Sequence, residues 1–203
     1  MTDFNKTTNK NGGEQTSRPD LYFFDCEFNE VMSTDASSPF YDIDFISIAV
    51  VNEKGDLYYA VNQNFDLEKA NEDEWLKKHV IAKLPPQSEW KPVNVIRDEL
   101  IDFFDEADSI ELWARQNSYD VVSFCRLFGT MMSMRETFNE KGIRSVKFRD
   151  INEFKHDPDV DFSLLDKKDE TQAHGADYDA DFERRLYQQI MAIKAKKSNN
   201  CKI

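Results

Sequence analysis

The chain has 203 residues, 39 acidic against 26 basic side chains for a formal net charge of −13, and 16 Phe, 7 Tyr and 3 Trp. That length suits one α/β domain with a sizeable core, and the aromatic content argues against a disordered chain. No apolar run approaches a membrane span, and three cysteines without a CxxC pair indicate neither a zinc site nor a disulfide framework.

The acidic balance speaks against a nucleic-acid binder, unless the acids are gathered at a site where bound cations neutralise them. The polar opening "MTDFNKTTNKNGGEQTSRPD" lacks a signal-peptide core, so an intracellular, cytoplasmic protein with no membrane partner is expected. Residues 1–18 read as a flexible tail, 19–197 as a single domain and 198–203 as a second tail.

The first strand-like run is "LYFFDCEF", 21–28, apolar enough to be buried on both faces but for Asp25 and Glu27. Residues two apart on a strand project from one face, here about 7 Å apart. Paired carboxylates in an apolar setting repel unless a proton or cation lies between them, and a hard divalent cation such as Mg²⁺ suits them. The alternative is an edge strand with one polar face in water.

"NEVMSTDASSP", 29–39, reads as a loop, and "DIDFISIAVV", 42–51, as a second strand. A turn at Gly55 joins it to a third, "LYYAVN", 57–62, so the first three strands form an antiparallel meander. Residues 66–80 suggest a short helix, and "KLPP" breaks the chain. Over 93–107 the apolar spacing of Ile96, Leu100, Phe103 and Phe104 predicts an amphipathic helix. A fourth strand follows at 109–115, a helix from about Tyr119, a fifth strand at 145–151, and a polar insertion or loop at 152–170. The last helix is expected from Gly175 to Lys197, where six cations from Arg184 onward read as a solvated helix end.

Two further acids fall on apolar helix faces. On a wheel from Asp120, Phe124, Leu127 and Met131 all lie within about 40°, so Asp120 leads the buried stripe. Capping of the helix N-terminus explains a lone acid there equally well. In "HGADYDADFERRLYQQIMAI" the wheel centres Asp179 among Phe182, Leu186, Ile190 and Ile193, and puts Asp177 and Asp181 on the polar side. His174 then belongs to the lead-in loop, where its imidazole reaches the cleft beside Asp179, whereas His79 and His156 read as structural or exposed.

Competing motifs fail: the chain has no Gly-rich phosphate loop, no GxSxG and no HExxH. "DPDVDF" and "DYDADF" mimic the start of a calcium loop, but Phe162 and Phe182 replace its glycine, and Lys168 and Gln188 stand where its last Glu belongs.

The ordered set Asp-x-Glu … Asp … His-x4-Asp resembles the DEDD 3′–5′ exonucleases of the ribonuclease H-like fold, and the histidine spacing resembles their "h" subgroup. "YFFDCEF", "ISIAVVNEKGDLYYAVN", "HVIAKLPP" and "SIELWARQNSYDVV" are similar to the RNase AS type of small bacterial exoribonuclease, over roughly residues 20–130 and 172–190. The chain departs from that branch in its 152–170 segment and in Asp177, where an apolar residue is usual.

The resemblance implies a ribonuclease H-like mixed sheet flanked by helices and hydrolysis of single-stranded RNA from the 3′ end to nucleoside 5′-monophosphates, favouring adenylate tracts. It further implies that Asp25, Glu27, Asp120 and Asp179 hold two Mg²⁺ or Mn²⁺ ions, with Asp25 bridging, that His174 is the general base, and that the chain forms a homodimer. The same chemistry on single-stranded DNA or short oligonucleotides is one alternative. A non-catalytic acidic interaction protein on the same fold is another. Phe28 and Trp113 are aromatics able to stack bases, with a core role the competing reading.

Overall fold

The alternation of Leu21 and Phe23 against Tyr22 and Phe24 builds the centre of the molecule, a strand buried on both faces. The computed structural model describes residues 18–32, 40–104 and 107–200. Residues 1–17, 33–39, 105–106 and 201–203 lie outside them, and with them the expected tails at 1–18 and 198–203 apart from residues 18 and 198–200.

Five strands, β1 (Asp20–Met32), β2 (Tyr41–Asn52), β3 (Leu57–Val61), β4 (Ser109–Ala114) and β5 (Ser145–Asp150), form one sheet in the order β3-β2-β1-β4-β5. The first three pair antiparallel, and β4 and β5 run parallel to β1. Helices α1 (Leu67–Ala70), α2 (Glu74–His79), α3 (Val93–Phe103), α4 (Ser118–Leu127), α5 (Met131–Glu140) and α6 (Ala176–Asn200) complete the architecture. This is the α/β mixed sheet flanked by helices expected from the sequence, a meander extended by parallel strands, and it is consistent with a ribonuclease H-like fold.

Each face of the sheet has its own core. Tyr22, Phe24 and Cys26 of β1 join Ile48, Val50, Leu112 and the apolar faces of α3 and α4. Leu21, Phe23, Ala49, Val51 and Trp113 pack under Ala180, Phe182, Leu186 and Ile190 of α6. Phe23 and Phe24 are wholly buried, each contributing about 1.5–3 kcal/mol by removal from water. Asp25 and Glu27 continue the row of Leu21 and Phe23, so they emerge under the N-terminal turns of α6.

The structure corrects several expected boundaries. Residues 29–32 are strand, because β1 shifts register between Glu27 and Phe28 and then pairs with β2 as far as Met32 opposite Tyr41. Pairing with β4 ends at Phe23, so β1 is an edge beyond it, and Glu30 there is exposed while Asn29 is buried. The 66–80 segment is two short helices, each capped by an aspartate, Asp66 and Asp73. The helix from 93 closes at Phe103, and the final helix continues to Asn200.

The helix begun near Tyr119 stops at Leu127, because the chain turns at Gly129 with φ +80°. Met131 therefore starts a different helix and is 88% exposed, although the wheel places it on the buried stripe. Nor is 152–170 merely a polar loop. It holds two 3₁₀ turns, buries Val160 and Leu165 beside α6, and stacks Phe154 on Trp113 at 5.6 Å.

Candidate active site

A cleft of about 600 Å³ opens where β1 meets the start of α6. Asp25, Glu27, Asp120, His174 and Asp179, the five residues singled out in the sequence, all line it. Carboxylate oxygens of Asp25, Glu27 and Asp179 lie within 4.8 Å of one another. Asp120 stands outside that tightest group and borders the same space.

Each acid is held by its element. Strand alternation turns Asp25 and Glu27 to the α6 side, opposite Ala49 and Ser47 of β2. Asp120 lies on the first turn of α4 and is buried, and its Oδ1 accepts the backbone N–H of Cys26 at 3.0 Å. That bond ties α4 to β1 between the two strand acids. The turn before α4 is anchored too: Gln116, at φ +57°, donates its N–H to Asp150, and Asn117 donates its side-chain amide to the carbonyl of Arg149.

Asp179 is 3% exposed. Its Oδ2 accepts the N–H of His174 at 3.0 Å and pairs with the Lys168 ammonium at 3.0 Å, while its buried Oδ1 has no partner. His174 adopts φ +68°, a left-handed conformation that turns the chain into α6. Its ring meets the Trp75 indole edge-on at 4.7 Å, while His79 stacks on the same indole at 5.1 Å and meets the His174 ring edge-on at 5.9 Å. Trp113 is a core residue, buried between Phe154 and Tyr187. Phe28 borders the cleft instead, tilted against the half-exposed ring of Tyr119 at 5.5 Å.

The electrostatics follow from crowding in a poorly hydrated place. Burial, then the charges of Glu27 and Glu183, push Asp25 well above the carboxylate range. Burial and the charges of Asp179 and Asp120 push Glu27 up to about 8. Burial raises Asp120 to about 6 against the opposing Cys26 hydrogen bond. Burial lowers His174, with Lys168 and Lys83 adding to the effect and Asp179 opposing it.

Two members of the site escape the sequence reading. Glu183 is 1% exposed, one turn beyond Asp179, with its Oε1 accepting the Arg115 N–H at 3.1 Å and its Oε2 unpartnered. The signal was available, since i+4 from Asp179 is only about 40° away on the same wheel. Lys168 comes from an aperiodic segment, where no pattern marks it. The polar-side acids behave as expected: Asp177 is exposed, and Asp181 binds Arg184 at 2.7 Å and Arg185 at 3.0 Å.

No family model matches the chain. Two curated proteins named 3′–5′ exoribonuclease, from two strains of Mycobacterium tuberculosis, are each 42% identical to it over 120 residues. The match covers 57% of this chain and 66% of each relative's length. In both, the likeness is to a protein named for removing RNA residues from the 3′ end.

The donor set fits hard divalent cations. It is all oxygen, it gathers more negative charge than Lys168 balances, and it leaves Asp179 Oδ1 without a partner. Among the described residues this is the group of metal-ligating side chains close enough to share an ion.

Proposed function

We propose that this protein is a divalent-metal-dependent 3′–5′ exoribonuclease of the DEDDh, RNase AS type, releasing nucleoside 5′-monophosphates and favouring adenylate tracts. The observation that carries the reading is the meeting of Asp25, Glu27 and Asp179 within 4.8 Å, with Asp120 and His174 on the same cleft. The two relatives named 3′–5′ exoribonuclease support the substrate class.

Asp25, Glu27, Asp120 and Asp179 would hold two Mg²⁺ or Mn²⁺ ions. Such ions, when bound, lower the pKa of water and stabilise the attacking and leaving oxygens of a phosphodiester. The remaining work belongs to the chain. His174, kept neutral near pH 7 by its partial burial, takes a proton from the attacking water on an imidazole nitrogen. Its ring is steadied by Trp75, and its backbone N–H fixes it to Asp179. The water oxygen bonds to phosphorus as the P–O3′ bond breaks, and the departing O3′ takes up a proton from solvent. The products are a 5′-monophosphate and a shortened chain with a free 3′-hydroxyl.

The aromatic walls suit a nucleobase. Trp75, 51% exposed, and Phe28, whose ring tilts against Tyr119, both line the cleft. A panel of oligo-A, oligo-U and DNA of equal length, each with a free or blocked 3′ end, tests the proposal with Mg²⁺ or Mn²⁺ present. Shortening of free-ended RNA, oligo-A fastest, with none by Asp25→Ala, is expected. Faster loss of DNA would move the substrate class, and no cleavage of any oligonucleotide with either metal would refute an exonuclease.

A further inference from the structure

Lys168 stands beside the acid cluster. Its ammonium lies 3.0 Å from Asp179 Oδ2, its side chain is 21% exposed, and its nitrogen sits 5.8 Å over the Phe182 ring. The segment that carries it is fixed by buried Val160 and Leu165 and by Phe154 on Trp113, so the lysine is delivered by packed structure. Of the other cations nearby, the Lys83 ammonium donates to the carbonyl of Ala173. Among the described residues Lys168 makes the ion pair with this cluster.

Its position is also at a junction. Lys168 and Arg115 line both the acid cleft and an adjoining cleft of about 430 Å³, which Lys167 also borders. A lysine side chain is a long flexible stem with a compact point charge, able to serve two anions a few ångströms apart. One is the Asp179 carboxylate. The other is the phosphate that the reaction must bring beside it.

We propose that Lys168 is a tethered counter-ion of the acid cluster, holding Asp179 while the site is metal-free, ceding that carboxylate to a divalent cation, and then facing the phosphate of the bound nucleotide. This rests on the metal-dependent reading above. It makes Lys168 a competitor of the metal and a helper of the nucleotide, two effects of opposite sign on binding. A purely structural lysine has neither signature.

The test is calorimetric titration of Mn²⁺ into metal-free wild-type protein, Lys168→Met, Lys168→Arg and Lys167→Met, followed by AMP titration at saturating Mn²⁺. Lys167 is exposed and makes the charge-matched control. Lys168→Met is expected to bind Mn²⁺ about tenfold more tightly and AMP about tenfold more weakly, a size set by one nearby unit charge in a half-buried setting. Lys167→Met should stay within about twofold for both, and Lys168→Arg should fall between.

If Lys168→Met binds Mn²⁺ no more tightly than Lys167→Met, or binds AMP as well as wild type, the proposal is wrong while the exonuclease reading stands. If wild-type protein binds no Mn²⁺, both fall together. Metal-free Lys168→Met should also melt below Lys167→Met, which separates a lost ion pair from a general charge effect.

Discussion

The sheet face beneath α6 has two ends of opposite character. At one, Phe23, Trp113, Phe154 and Tyr187 meet with ring centroids 4.7 to 6.1 Å apart, and Leu186 and Ile190 close over them. At the other, reached by two more residues along β1 and two turns back along α6, the acids Asp25, Glu27, Asp179 and Glu183 gather, and Lys168 pairs with Asp179. The first end is held by ring packing, with the Trp113 indole N–H buried without a partner. The second gathers charges, and charges crowded in a dry place repel. The aromatic end supplies rigidity, and the acid end is held in a geometry it would not adopt unaided.

The sharpest way to break that contrast is Asp25→Asn, which keeps the shape and removes one charge. RNA cleavage with Mg²⁺ should fall by on the order of 10³-fold, while the metal-free protein should melt at a higher temperature. Equal activity, or a lower melting temperature, would place Asp25 outside the site. At the opposite end, Phe23→Ala should cost about 3–5 kcal/mol in urea unfolding, because a wholly buried ring leaves a cavity. His174→Ala should slow turnover by about 10²- to 10⁴-fold with Mn²⁺ affinity unchanged. Unchanged turnover would remove it from the base role.

Acid crowding also has a pH signature. Glu27, Asp120, Asp25 and Glu183 all have raised pKa values, so the folded protein binds more protons than the unfolded chain between their ordinary values and their raised ones. Stability of the metal-free protein must then fall as pH rises, from about 4 through Asp120 at about 6 to Glu27 at about 8. His174, lowered, opposes this below its ordinary value of 6.5 as a single group against four. Thermal melts with EDTA across that range check the sign, and Mg²⁺ should restore more at the alkaline end. The smallest effect belongs to Met131→Ser, within about 0.5 kcal/mol, since that side chain lies in solvent.

Much of this was legible in the sequence because it is periodic. The two-residue spacing of Asp25 and Glu27 and the wheel positions of Asp120 and Asp179 report faces, and faces decide what meets. Where the chain is aperiodic no such phase exists. Lys168 sits on a segment ordered by tertiary packing of Val160, Leu165 and Phe154, none of which forms a pattern. The wheel carried across Gly129 misplaced Met131, because a left-handed glycine resets the helix axis. Glu183 is a different failure: its phase was readable, but a charged residue one turn past Asp179 passes for an exposed one until Arg115 is seen beneath it.

The most direct test is anomalous diffraction at the manganese edge from crystals grown with Mn²⁺. Density bridged by the carboxylates of Asp25, Glu27 and Asp179, with Lys168 moved off Asp179, is the expected result. A fully formed cleft with those three side chains as they stand and no anomalous peak among them, at Mn²⁺ levels that support RNA cleavage, would contradict it.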